Sequence, residues 1–194
     1  MSEVEMTENE TMQALHGYCV DVSGSLLARP DNDVPPFLVL VWVGNDDQGP
    51  KTEFAMMDAS MFLRDRGGLG KMIMMSLIRK WLAGEPRALS MVSDEDGVPR
   101  STAPQMIAFV TEAWLVSRPV VPGQDFPVLD GAPAEQPDRQ DVVMIQIHRT
   151  GTTTQFDCPL LPGADGKRHL KPKPFSDSGE GFGTLSVRTP DMAH

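Results

Sequence analysis

The stretch from residue 106 to residue 116 is the most continuously apolar run in the chain, and it constrains the fold most strongly. It reads MIAFVTEAWLV. A run this short and this rich in Ile, Phe, Val and Trp suits a buried strand better than a free-standing helix. Because it is apolar on both faces, other elements have to cover it on both sides. The sequence therefore predicts a central strand around which the rest of the chain is arranged.

One charged residue, Glu112, interrupts this run. An unpaired carboxylate costs several kcal/mol when it is taken into a core. Glu112 must therefore find a partner, reach the rim of the sheet, or take a raised pKa. It is the first residue to test as part of a functional site.

The best-determined local structure is a hairpin over residues 141–158. A two-residue turn at Thr150-Gly151 places Arg149 opposite Thr152, and the same register sets Ile145 opposite Phe156. This register collects the apolar side chains on one face, which we expect to be buried. It also collects polar ones on the other face, which we expect to be largely wet. The polar face carries Met144, Gln146, His148, Thr153, Gln155 and Asp157.

Two helices are predicted, at residues 8–28 and 69–82. The first begins with Thr7-Glu-Asn-Glu10, which matches a capping box. In the second, one apolar stripe is predicted to face the core. That stripe consists of Leu69, Met72, Ile73, Ser76, Leu77 and Trp81. A short strand at 88–92 is a further expectation within an otherwise long loop.

We predict the α+β class, with a single twisted, mainly antiparallel sheet of about five strands and both helices packed on one face. The predicted strands are 37–43, 52–57, 106–116, 142–149 and 152–158. Residues 1–161 are expected to form one domain, with helix 8–28 as an addition to it. Residues 162–194, rich in Pro, Gly, Asp, Lys and Ser, are expected to be an irregular, flexible tail, with 182–188 as its one plausible strand.

Composition narrows the classes of function. A formal net charge of -10 argues against binding along a nucleic acid backbone or on an anionic membrane, since both need a basic face. Two cysteines are too few for a disulfide framework, and no apolar run is long enough to span a membrane. We therefore expect a soluble, cytoplasmic protein with no membrane association.

The candidate catalytic residues are Glu112, His148 and Asp157. A histidine beside a carboxylate in a cleft is a candidate for general acid–base catalysis. The hairpin register puts His148 and Asp157 on its polar face, and Glu112 could join them from a neighbouring strand. The competing interpretation is an ordinary solvated polar face without catalytic function.

The candidate binding residues are four cations in a seven-residue segment, which could bind phosphate, an acidic partner or the acidic N-terminal region. They are Lys167, Arg168, Lys171 and Lys173. A solvated tail is the alternative.

No metal or cofactor is predicted. His16, Cys19, His148 and Cys158 could supply zinc ligands, but the hairpin register puts His148 and Cys158 on opposite faces. The Gly67-Gly-Leu-Gly70 sequence before the second helix lacks the Gly-Lys-Ser/Thr ending of a phosphate-binding loop.

Four short motifs carry a resemblance. They are Ile-Arg-x-Trp at the end of the second helix, Val-Thr-Glu-Ala-Trp at 110–114, Pro-Asp-Arg-Gln-Asp at 137–141 and His-Arg-Thr-Gly at 148–151. Over residues 37–161 the chain resembles short uncharacterised proteins of phages and bacteria. The resemblance implies a compact α+β unit and no specific function.

The sequence favours a small accessory protein that acts by contact with a host or viral protein, with homo-oligomerisation as an option. Thirteen methionines, tryptophans that could be exposed and a Pro-rich segment at 118–140 suit such contact. The alternative is an enzyme or small-ligand-binding protein that uses the Glu/His/Asp cluster. That alternative requires Glu112 and His148 to share one concave site.

Overall fold

The computed structural model describes residues 6–46, 49–63, 68–93, 97–116, 135–173, 175 and 185–187. In chain order the elements are α1 (Glu8–Leu27), β1 (Phe37–Asp46), β2 (Gly49–Asp58), α2 (Ser60–Leu63), α3 (Leu69–Leu82), α4 (Pro86–Leu89), β3 (Met106–Leu115), β4 (Gln140–Arg149), β5 (Thr152–Pro162), β6 (Arg168–Leu170) and β7 (Leu185–Val187). This is the predicted α+β class, and both long helices lie within one residue of their predicted ends.

The apolar run that begins at Met106 is the central strand, as predicted. The sheet order is β2-β1-β3-β4-β5-β6, and β7 pairs with β3 off this path. Every pairing between these strands is antiparallel. In β3, all eight residues from Met106 to Ala113 are buried, because both faces of the strand are covered.

The two long helices lie on opposite faces of the sheet, which corrects the prediction that both pack on one face. We define the α1 face by Val39, Val41, Ala108, Val110, Val143 and Ile145, which share a core with Met12, Leu15 and Cys19 of α1. We define the α3 face by Leu38, Leu40, Ile107, Phe109, Val142 and Met144, which share a core with Met74, Ile78 and Trp81 of α3. A sheet whose central strands are apolar on both sides needs a cover on each side.

The predicted capping box starts α1. The Glu10 N–H donates to Oγ1 of Thr7 at 3.2 Å, and the Thr7 N–H donates to the Glu10 carboxylate at 2.8 Å. These reciprocal bonds satisfy backbone donors that the first helical turn leaves without partners. The helix can therefore begin at Glu8, next to the sheet end where it docks.

The rotation of α3 about its axis differs from the prediction. Its buried residues are Gly70, Met74, Ile78 and Trp81. Gly70 sets this rotation, because a Cβ built there would lie 2.1 Å from the carbonyl oxygen of Phe62 in α2. The short strand expected at 88–92 is also wrong, since residues 86–89 form α4 and the Trp81 indole donates to the Ala88 carbonyl at 2.8 Å.

The hairpin register is as predicted: Arg149 lies opposite Thr152, and Ile145 lies opposite Phe156. The polar face of the hairpin is less exposed to solvent than predicted, because Met144 and His148 are buried.

The segment after the hairpin is more ordered than predicted, since β6 pairs with the end of β5 and β7 falls inside the strand expected at 182–188. The rest of the predicted tail, at 174, 176–184 and 188–194, lies outside the described residues, as does most of the Pro-rich segment.

Candidate functional site

Glu112 lies on the α1 face of β3 and is held by Arg168 of β6. The guanidinium donates to both carboxylate oxygens, from Nη1 to Oε2 at 2.6 Å and from Nη2 to Oε1 at 2.9 Å. The Val34 N–H also donates to Oε1, at 3.0 Å. The Glu112 side chain is 5% exposed and that of Arg168 is 25% exposed. Of the three outcomes considered for Glu112, pairing is therefore the one that the fold provides.

Asn32, in the linker between α1 and β1, is hydrogen-bonded to Arg168, which holds Glu112. The Arg168 N–H donates to Asn32 Oδ1 at 2.7 Å, and Asn32 Nδ2 donates to the Arg168 carbonyl at 3.0 Å. Asn32 has a φ of 46°, in the left-handed region that asparagine adopts more readily than most residues. We call Asn32, Val34, Glu112 and Arg168 the Glu112 junction. It joins the linker, β3 and β6.

The Glu112 junction has the geometry of a structural ion pair. Burial raises the pKa of Glu112, and the hydrogen bonds from Arg168 and from the Val34 amide act against that rise. Those three bonds already engage the carboxylate oxygens, so the group is poorly placed to take a proton from a substrate. A bidentate arginine–carboxylate pair is strong and directional, which suits it to fixing β6 against the sheet.

The three predicted catalytic residues do not come together. Glu112 lies on the α1 face, whereas His148 and Asp157 lie on the α3 face. His148 is opposite Thr153, and Asp157 is opposite Met144, which lies four residues before His148 in β4. At the rise of a strand, the positions of His148 and Asp157 are therefore roughly 13 Å apart. The fold therefore does not bring Glu112, His148 and Asp157 together in one place.

The polar groups on the α3 face contact one another in two separate sets. The His148 Nδ1 is 3.0 Å from Thr153 Oγ1, and the His148 Nε2 is buried without a hydrogen-bond partner among the described residues. Gln146 donates to Gln155 at 2.9 Å, and Gln155 donates to Asp157 at 3.0 Å. Burial lowers the pKa of His148 and raises that of Asp157. Among the described residues of this face, His148 therefore forms no pair with a carboxylate.

Two of the four predicted binding cations are used inside the fold. Arg168 belongs to the Glu112 junction, and Lys167 Nζ donates to the carbonyls of Ala28 and Arg29 at 3.3 and 3.4 Å. A cation beside the last carbonyls of α1 complements the helix dipole. Lys171 and Lys173 are exposed. Two of the four cations are therefore engaged within the fold and two are exposed to solvent.

The described residues contain no group of three or more His, Cys, Asp or Glu side chains that could hold a metal ion. Cys19 and Cys158 are buried free thiols, and burial raises the pKa of both. Raised thiol pKa values disfavour the thiolate that metal binding and nucleophilic attack require.

A cavity of about 420 Å³ lies between the start of α1 and the adjoining sheet end. Its wall includes an ion pair between Glu8 and Arg149. It also includes Gln105, whose side chain donates to the Val43 carbonyl at 3.1 Å and accepts from the Val43 N–H at 2.7 Å. Gln105 is therefore satisfied within the fold, whereas the Nε of Arg149 is buried without a hydrogen-bond partner among the described residues.

The feature that the sequence did not predict is an exposed apolar surface on α2 and α3. Its members are Met61 at 68% exposure, Leu69 at 59%, Met72 at 70% and Ile73 at 46%. We call these four residues the α2–α3 outer face. They belong to two helices that touch where Gly70 meets the Phe62 backbone. The tryptophans expected as contact residues do not contribute, since Trp42 and Trp81 are buried and Trp114 is half-buried on β3.

A signal for this surface was present in the sequence. Apolar residues surround α3 on nearly every side, and a helix that contacts a sheet along one stripe cannot bury all of them. The periodicity alone does not say which stripe is left outside.

Comparison of the chain with known protein families, with curated proteins and with solved structures finds no match. Within the described ranges, no helix is long and apolar enough to cross a membrane. The function must therefore be argued from the geometry.

Proposed function

We propose that this chain acts by contact with another protein and that the α2–α3 outer face is the contact surface. The observation that carries the proposal is the exposure of Leu69, Met72 and Ile73 on two successive turns of one helix. A large apolar side chain gains roughly 1.5–3 kcal/mol when it is removed from water. Three of them side by side on a rigid helix supply the apolar centre that protein interfaces use.

The chemistry of the face suits a protein partner. Met61 and Met72 are unbranched and polarizable, so they adapt to a partner's shape. The sheet behind them is rigid, because Ile78 and Trp81 anchor α3 in a core that includes Met144. A rigid scaffold lowers the entropy lost on binding.

We place this contact in the cytoplasm, and the partner among host or viral proteins. The free thiols of Cys19 and Cys158 fit a reducing compartment. The choice between host and viral partner rests on the resemblance to phage and bacterial proteins.

The alternative, an enzyme or ligand-binding protein, has less support. It required Glu112 and His148 at one concave site, whereas the fold puts them on opposite faces of the sheet. His148 keeps a buried Nε2 without a partner among the described residues, but the nearby acid, Asp157, belongs to a different hydrogen-bonded set.

Site-specific photo-crosslinking tests the proposal. A photoreactive amino acid replaces Met72 in one variant and Met56 in a control, and both variants are irradiated in cells that naturally produce the protein. Met56 is matched in residue type and is 55% exposed, but it lies on edge strand β2. We expect a discrete protein adduct from position 72 that the Ile73→Lys substitution abolishes, and no such adduct from position 56. Equal labelling at both positions, or none at position 72, contradicts the proposal.

A further inference from the structure

We infer that the partner presents an acidic segment beside an apolar one, because the α2–α3 outer face is bordered by cations in an otherwise acidic protein. This inference rests on the proposed function and specifies the chemistry of the partner. It concerns one end of the face, where Arg79 and Lys80 follow the apolar residues along α3.

The charge of α3 differs from that of the chain as a whole and resembles that of the basic segment at 167–173. The helix carries Lys71, Arg79 and Lys80 and no acid, in a protein whose formal net charge is -10. All three cations are exposed. The closest acid in sequence, Glu85, is 3.8 Å from Lys80 and half-exposed, so the pair is weak and easily exchanged for another carboxylate.

Helical geometry puts two of these cations next to the apolar residues. At 3.6 residues per turn, Lys80 lies on the same side of α3 as Leu69 and Ile73, and Arg79 lies on the same side as Met72. Along the exposed side of α3 the order is therefore Leu69, then Met72 and Ile73, then Ser76, and last Arg79 and Lys80, so one polar turn separates the apolar turns from the basic one. A partner helix laid along α3 would meet apolar contacts first and cations last.

A second copy of the chain fits this face less well than an acidic partner. A two-fold dimer through the α2–α3 outer face brings two α3 helices together, and each carries three cations and no acid. Whichever way the two helices run, the second α3 offers no carboxylate to Arg79 and Lys80, and where they run parallel the two basic turns repel each other. An apolar segment flanked by Asp or Glu pays no such cost and gains from steering toward the basic end.

Two synthetic peptides of equal length and identical leucine pattern test the inference. Both are amphipathic helices, but one carries Glu and the other Lys beside the leucine stripe. Binding to the purified chain is measured by fluorescence anisotropy at low and at high salt. The variants are Met72→Lys, which removes the apolar contact, and Arg79→Glu with Lys80→Glu, which reverses the basic turn. The control is Lys171→Glu with Lys173→Glu, a pair of exposed cations near β6. Circular dichroism checks that each variant is folded.

We expect the acidic peptide to bind about tenfold more tightly than the basic one at low salt. High salt should reduce that preference, reversal of the basic turn should abolish it, and the control pair should leave it unchanged. Equal binding of both peptides, lost in Met72→Lys, would retain the contact face and overturn the inference of an acidic partner. Sedimentation of the chain as a dimer that Met72→Lys dissociates would make the occupant a second copy and overturn it too. Absence of binding by either peptide overturns both the inference and the proposed contact face.

Discussion

Replacement of Arg168 by methionine isolates what the Glu112 junction contributes to stability. The methionine keeps much of the apolar stem but removes both hydrogen bonds to a carboxylate that is 5% exposed. Breaking a buried ion pair from one side costs about 3–5 kcal/mol, because the remaining buried charge loses its counter-ion. Arg168 is 25% exposed and Glu112 keeps the Val34 amide, so we expect a somewhat smaller loss, about 2–4 kcal/mol, in the free energy of unfolding.

A double-mutant cycle separates the ion pair from packing. Glu112→Gln retains an acceptor for Val34 and leaves Arg168 able to reach water, so it should cost about 1 kcal/mol. Adding Glu112→Gln to Arg168→Met removes the buried charge that has lost its guanidinium, so the double variant should be more stable than Arg168→Met alone. Urea unfolding followed by circular dichroism measures all four proteins.

The pH dependence of the same variants gives an independent check. Without Arg168, burial should raise the pKa of Glu112 further above its ordinary value of 4.5. The folded state then binds a proton that the unfolded state has released, so the stability of Arg168→Met falls as pH rises above about 4.5. The advantage of the double variant should therefore disappear as pH falls toward that value. Strictly additive effects, or an Arg168→Met loss below about 0.5 kcal/mol, would refute the role given to the junction.

Three further predictions concern the remainder of the fold. In thermal or urea unfolding, Gly70→Ala should lower the free energy of unfolding by about 1–3 kcal/mol, because its Cβ meets the α2 backbone at 2.1 Å. The control Gly17→Ala has open space, so it should raise the free energy of unfolding by about 0.5–1 kcal/mol. Equal effects of the two substitutions would contradict the account of α3. Burial lowers the pKa of His16 and His148 from 6.5, so the free energy of unfolding should be full above that pH and should fall below it as the unfolded chain takes up protons. His148→Gln should flatten this pH dependence between about pH 5 and 6.5. An unchanged slope in His148→Gln would contradict this prediction. Thr7→Ala should cost about 1 kcal/mol through loss of the α1 cap, and a neutral result would show that the capping box does not stabilise α1.

Strand positions and the hairpin register could be predicted because each depends on local information. The Thr150-Gly151 turn determines which residues of the hairpin face one another. The apolar run at 106–116 is apolar on both faces, so it suits only a central strand that is covered on both sides. The bounds of α1 follow similarly from Thr7 and Glu10.

The rotation of α3 could not be predicted, because its sequence offers more than one apolar stripe. The choice depends on the approach of Gly70 to the Phe62 backbone, a contact between two elements that periodicity does not report. Four residues of the expected inward stripe, Leu69, Met72, Ile73 and Ser76, are exposed, whereas Trp81 of the same stripe is buried. The same lack of tertiary information put both long helices on one side of the sheet.

The candidate site failed for a related reason. Glu112 was rightly identified as a residue in need of a partner, but Arg168 lies 56 positions away in a segment expected to be irregular. Period-two alternation would have separated Glu112 from His148 only once the β3–β4 register was known. Pairings between distant segments are the information that one sequence supplies least.

Oxidation of methionine side chains tests the proposed contact surface most directly. In the purified chain Met61, Met72, Met56 and Met91 are 68%, 70%, 55% and 57% exposed, so peroxide should oxidise them at similar rates, as read by mass spectrometry. In extract of the cells that naturally produce the protein, we expect oxidation of Met61 and Met72 to slow at least about fivefold as a partner covers them, while Met56 and Met91 keep their rates. Four unchanged rates, or an equal slowing of all four, would contradict contact through the α2–α3 outer face.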